Sequence, residues 1–178
     1  DYGLQGVEVD HSGFAVLLRA DPKTAVLNLR KEQVPLMYWT AAAWAGAVNL
    51  SKENPYLIAE IPQLEALMDQ ALVLDPVWND GAIHSFMITY AMARQGMNSD
   101  PVEESKKHFE KALEYSRGQQ VAPYVAYAES VAVQEQDMEL FESLLSQALS
   151  IDTDEYLQYR LVNIIMQKRA RWLLERKD

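Results

Sequence analysis

Three histidines, His11, His84 and His108, are the first residues in this chain to test for chemistry, because imidazole titrates near neutral pH and binds transition metals. They fall in three different segments, and none lies one helical turn from another. The sequence therefore offers no metal site. His84 stays open between a pocket residue and a packed histidine. Asp152-Thr153-Asp154 starts like a calcium loop but lacks the Gly and the terminal Glu of one, so it reads as a helix cap. No Gly-rich phosphate loop or serine-nucleophile box occurs in a fitting context. With no cysteine there is neither a thiolate nor a disulfide. The chain is expected to be non-enzymatic, with no cofactor and no catalytic residue.

Residues suited to binding are more numerous. Tyr38, Trp39 and Trp44 share one segment, Trp78, Phe86 and Tyr90 surround the next, Tyr124 and Tyr127 follow, and Tyr156, Tyr159 and Trp172 lie in the last. Rings with polar tips on successive helices can line a cleft, or they can pack repeat against repeat. Thr40, His84, Ser85, Glu129, Arg160 and Asn163 sit within apolar segments, where each needs a partner if buried. Arg160 is read either as pairing with Glu129 or as a fork for a ligand carboxylate. The candidate cleft is Tyr38, Trp39, Trp44, His84, Tyr124, Glu129, Arg160 and Asn163. Cations at Lys168, Arg169, Arg171, Arg176 and Lys177 end the last helix, where they complement its dipole or meet a membrane surface or partner.

The elements that must position these residues show a repeat. A bulky apolar residue is followed three places on by Ala-Leu at Met68/Ala71-Leu72, Phe109/Ala112-Leu113 and Leu145/Ala148-Leu149. Each instance precedes a turn and a new apolar segment, the mark of tandem helical hairpins of the tetratricopeptide kind. One hairpin cannot bury its own apolar face, so hairpins stack, and a small Ala lets two helices approach. The expected fold is all-α: about four tetratricopeptide-like hairpins plus a C-terminal helix in an α–α superhelix, one domain over residues 1–178.

Individual boundaries follow from caps. A helix end runs to a break at His11-Ser12-Gly13, and Asp21-Pro22 opens a helix to about Lys31. Leu36 to Leu50 is the next helix. An irregular stretch from Ser51 to about Ile61 precedes Gln63 to Leu74, and Asn79-Asp80 caps a helix from Gly81 to about Arg94. Val102 to Tyr115 stops at Arg117-Gly118. Val121 to Gln134 and Met138 to Ser150 form the next hairpin, and Glu155 to about Arg176 closes the chain.

The 178 residues are 49% hydrophobic with a formal charge of −10, from 16 Lys and Arg against 26 Asp and Glu. Nucleic acid, which needs a clustered basic face, is not an expected partner. No apolar run reaches the roughly 18 residues of a membrane span. A start at Asp1 without Met predicts a trimmed chain, with a signal peptide or lipid anchor upstream.

Several strings narrow the class. Leu36-Met37-Tyr38-Trp39-Thr40-Ala41-Ala42-Ala43-Trp44, Gly81-Ala82-Ile83-His84, Pro123-Tyr124-Val125, Tyr159-Arg160-Leu161-Val162-Asn163 and Gln167-Lys168-Arg169-Ala170 resemble the TatT family. This is the tetratricopeptide-like T component associated with TRAP transporters. The resemblance runs from Asp1-Tyr2-Gly3-Leu4, similar to the end of the family's first helix, to the C-terminus. It departs at Ser85, where a Glu is expected. It implies a periplasmic, often lipid-anchored homotrimer associated with the solute-binding P component, passing on a small organic ligand through a cleft. TRAP transporters are secondary, ion-driven and usually carry organic acids. Two rivals remain: a generic repeat adaptor binding a peptide or protein on its concave face, and an enzyme using His84 with Glu129 as acid and base.

Overall fold

A computed structural model describes residues 2–51, 53–94, 96 and 99–176, and three-quarters of the chain is helical with no strand among the described residues. The fold is all-α. Asp1 and Lys177, both named above, lie outside the described residues. The helices fall into two compact units, residues 1–78 and 79–178.

The first unit begins with α1 (Tyr2–Glu8) and α2 (Phe14–Ala20). Gly13 takes φ +81 between them, and the Glu8 carboxylate accepts from the Gly13 and Ala15 amides at 3.0 and 2.7 Å, satisfying donors the start of α2 would otherwise leave open. Asp21 caps α3 (Pro22–Val26) through the Thr24 amide, as its Asp-Pro start predicts. The helix ends at Val26 and not near Lys31. The Gln33 side chain accepts from the Arg30 amide at 2.7 Å and starts a fresh turn at Lys31–Gln33, a local bond that competes with continuing the helix. α4 (Val34–Leu50), α5 (Pro55–Ile58) and α6 (Ile61–Leu74) follow. The stretch expected to be irregular thus holds one helical turn, opened by Asn54 accepting from the Tyr56 amide and by Pro55 in the first position. Leu18, Val34, Met37, Leu64, Leu67 and Met68 form the buried centre.

The second unit holds most of α7 (Trp78–Ala93), whose residues Asn79, Asp80 and Gly81 have φ of 48°, 54° and 86° before regular helix resumes. The expected Asn79-Asp80 cap is therefore a left-handed turn. Glycine is required at its end: a Cβ on Gly81 would stand 3.3 Å from the Ala112 Cα and 3.2 Å from the Tyr115 Cβ, and φ is positive. α8 (Pro101–Ser116) starts at the Asp100 cap and stops at Arg117 (φ 54°) and Gly118 (φ 70°), whose amide donates to Leu113 O. α9 (Ala122–Tyr127) runs into a wider π turn at Ala128–Ala132, and α10 (Met138–Ser150) is capped by Asp137. α11 (Arg160–Leu174) begins five residues later than expected, because Asp152 accepts from the Asp154 amide and holds a turn where helix was expected. The repeat alanines Ala71, Ala112 and Ala148 are all buried.

Two side chains of α11 close this unit. Asn163, fully buried, accepts from the Val121 amide at 3.0 Å and donates to Gln119 O at 2.9 Å, fixing the start of α9. Gln167 donates to Ala148 O at 3.1 Å and Ile151 O at 2.8 Å at the end of α10. Asn163→Leu leaves a buried amide and carbonyl without partners, at about 1–3 kcal/mol each. The expected loss is about 2–5 kcal/mol in urea unfolding, and Asn163→Asp, which sets a buried carboxylate oxygen against the Gln119 carbonyl, should lose at least as much.

Candidate functional site

In the first unit α1, α4 and α5 leave an open cleft of about 600 Å³, lined among others by Tyr2, Leu36, Trp39, Thr40, Trp44 and Glu60. Its shape depends on glycine. A Cβ on Gly3 would stand 1.8 Å from the Thr40 Oγ1, and one on Gly6 3.1 Å from the Leu36 side chain, so α1 seats against α4 only with hydrogen at both places. Trp44 donates from Nε1 to the Glu60 carboxylate at 2.8 Å, which fixes the indole plane. The Thr40 hydroxyl oxygen is shielded from solvent and has no hydrogen-bond partner among the described residues. Trp39 is 63% exposed, a large ring held where little but a ligand or a partner would cover it. Among the described residues no Lys, Arg or His lines the cleft.

Tyr38 contacts this group from behind. Its ring meets Trp39 edge-on at 5.1 Å and Trp78 at 4.7 Å, and burial pushes its phenol pKa upward. The structure thus gathers Trp39 and Trp44 into one cleft, with Thr40 between them and Tyr38 as support. Tyr2, Leu36 and Glu60 were not foreseen. Glu60 lies 16 residues from Trp44 on a turn whose path no local pattern records.

The candidates of the second unit have separate surroundings. His84 of α7 is buried and shares a proton with His108 of α8, Nδ1 to Nδ1 at 2.8 Å, one ring donating and the other accepting. The Tyr115 ring lies 5.5 Å away. The His84 Nε2 is buried without a partner among the described residues. Burial first, then the nearby His108 and Lys111, hold His84 down to a pKa of about 4, so it stays neutral at ordinary pH. Tyr124 packs edge-on against Phe109 at 5.7 Å. Asn163 is consumed by backbone.

The pairing expected between Arg160 and Glu129 does not form. Glu129 binds Arg169, two turns and more along α11, while Arg160 at the start of α11 binds the exposed Asp154 just before it. The acid–base arrangement of His84 with Glu129 is likewise not formed, since their hydrogen-bond partners are His108 and Arg169. Among the described residues no three or more His, Asp or Glu converge as a metal cage.

The fold and these sites define an all-α protein carrying an open, largely apolar cleft. Comparison with known sequences narrows this class. The chain belongs to the TRAP transporter T-component family, whose sequence profile matches residues 1–178, the family named above on its residue strings. The family is a periplasmic-type auxiliary component of TRAP transporters. The chain is also similar to an uncharacterized protein of Treponema pallidum (strain Nichols), 22% identical over 176 residues covering 97% of this chain and 54% of that protein. It spans about half the length of the curated relative it matches. No described helix is long and apolar enough to cross a membrane.

His84 gives a stability test. Its pKa is lower in the fold than its ordinary 6.5, so the unfolded chain binds more protons below that pH. Stability from keeping His84 neutral is complete above about pH 6.5 and is lost as pH falls toward about 4. His84→Gln should flatten the fall in melting temperature between these limits. An unchanged slope would place the proton uptake elsewhere.

Proposed function

We propose that this T component captures a small, apolar, uncharged organic ligand in the cleft of residues 2–60 and passes it to the P component of a TRAP transporter. The observation that carries this is the pair Trp39 and Trp44 in a concave space of about 600 Å³, a size that fits small molecules. Indoles supply the apolar area, while the Thr40 hydroxyl is turned to Gly3 and shielded, which leaves the ring faces as the contact surface. Two features speak against a carboxylate: no cation among the described residues lines the space, and the Glu60 carboxylate is already there. Arg160, paired with Asp154, has no part in this reading.

The assembly belongs to the same proposal: a periplasmic homotrimer, lipid-anchored ahead of the described residues, with residues 1–178 acting as one helical-repeat domain. Family membership supports it. A peptide-binding adaptor is the weaker reading, because the cleft lacks the polar rows that would hold a peptide backbone.

The test uses the neutral dye N-phenyl-1-naphthylamine as probe. Trp39→Ala should weaken its binding about tenfold without lowering the melting temperature, because the ring is largely exposed. Arg160→Ala should leave binding unchanged. Equal binding by Trp39→Ala and the parent chain would overturn the cleft assignment, and native mass spectrometry showing one subunit would overturn the trimer.

A further inference from the structure

α11 is apolar on two sides. Its inward side holds Asn163, Gln167 and Ala170 with Met166, Leu173 and Leu174 packed against the core, while the line it turns to solvent holds Leu161, Ile165, Lys168 and Trp172 at helical spacing. Leu161 is 72% exposed, Ile165 54% and Trp172 41%. Soluble helices put such residues inward, and an exposed apolar stripe on a helix marks a surface that something covers.

Charge says what covers it. α11 carries Arg160, Lys168, Arg169 and Arg171, four of the chain's 16 cations, and none of its 26 acids. Asp154 takes Arg160 and Glu129 takes Arg169. Lys168 and Arg171 are exposed, with no acidic partner among the described residues. Trp172 is held between the Arg169 and Arg176 guanidiniums, 4.3 and 4.4 Å from its ring. An indole with cations on both sides suits the boundary between acyl chains and phosphates, where the ring takes the apolar side and guanidiniums take phosphate oxygens. A second copy meeting this stripe across a two-fold axis would set Lys168 against Lys168, and the three-fold ring proposed above does not bring the stripe onto itself. An uncharged apolar partner would leave Lys168 and Arg171 without counterions.

We propose that α11 docks on an anionic phospholipid surface, lying in its plane with Leu161, Ile165 and Trp172 at the acyl boundary and Lys168, Arg171 and Arg176 on lipid phosphates. The contact is independent of the cleft. In a chain of net charge −10 it also sets orientation, because this helix is locally cationic and the chain as a whole is repelled.

The experiment is co-sedimentation with vesicles of equal phosphatidylglycerol and phosphatidylcholine, compared with phosphatidylcholine alone, in about 0.1 M salt where screening is moderate. The full chain should sediment with the anionic vesicles and release at high salt. Brominated acyl chains should quench its fluorescence, and Trp172→Phe should remove most of that quenching. Leu161→Asp with Ile165→Asp should abolish binding, and Lys168→Glu with Arg171→Glu should weaken it at least tenfold; all four residues are exposed, so melting temperatures should hold. The proposal is overturned if the parent chain ignores anionic vesicles or binds neutral ones equally. It is also overturned if both double variants bind as the parent does, or if Leu161→Asp with Ile165→Asp changes the subunit number in ultracentrifugation, which would make the stripe a subunit seam.

Discussion

Two carboxamides one helical turn apart hold the second unit together. Asn163 and Gln167 project from α11 into the places where other helices begin or end, and there they take up backbone groups that helix geometry leaves without partners. Apolar packing alone would leave the Gln119 carbonyl, the Val121 amide and the carbonyls after Ala148 buried and unpaired. Each such group costs as much as a hydrogen bond contributes, or more. The short α9 and the break before α10 are tolerable because α11 supplies these bonds. Met166, Ala170, Leu173 and Leu174 share that inward side, and Leu161, Ile165 and Trp172 stand on the solvent side.

The first unit solves a different problem. Its short helices approach closely, and the approach is set by what is missing: Gly3 and Gly6 bring α1 onto α4 at Thr40 and Leu36. Close seating at that end, with Pro55 opening a separate turn, leaves the space beyond Trp39 and Trp44 unfilled. Lys31 with Asp75 at 3.1 Å is an ion pair of the same unit, its lysine exposed and its aspartate buried. Apolar packing around Leu67 and Met68 carries the stability, and the cleft is a by-product of backbone fit.

Much of the fold was legible in the sequence because its signals are local. Asp21 accepts from the amide three residues on, as its Asp-Pro start predicts, and Gly13 and Gly118 take the conformations other residues resist, whereas Asn54 opens a turn in a stretch expected to be irregular. Where reading failed, a side chain won a local competition: Gln33 ended α3, Asp152 delayed α11, and Asn79-Asp80 turned left-handed where a cap was expected. The site was half legible. Trp39, Trp44 and Thr40 share one helix, so spacing groups them; His84 with His108 and Glu129 with Arg169 depend on register between helices 24 and 40 residues apart, which composition does not record. Arg160 misled because a cation in an apolar segment suggests burial, whereas here it stands at a helix start and faces Asp154.

The arrangement of charge decides what this chain can recognise. An organic acid would have to enter a cleft whose described lining holds one carboxylate and no cation, in a chain already carrying −10. Desolvating a carboxylate without a partner costs several kcal/mol, more than the cleft's indoles return by stacking. Trp44 cannot help, since its only donor is spent on Glu60. The Thr40 hydroxyl is sealed against Gly3, so the indole faces are what the cleft presents to a ligand. The cations that could bind an anion are instead concentrated on α11, where the neighbouring apolar residues lie along a line and enclose no pocket. A line of that kind fits an extended anionic surface and not a small anion, so the two recognition tasks fall to different helices and different chemistry.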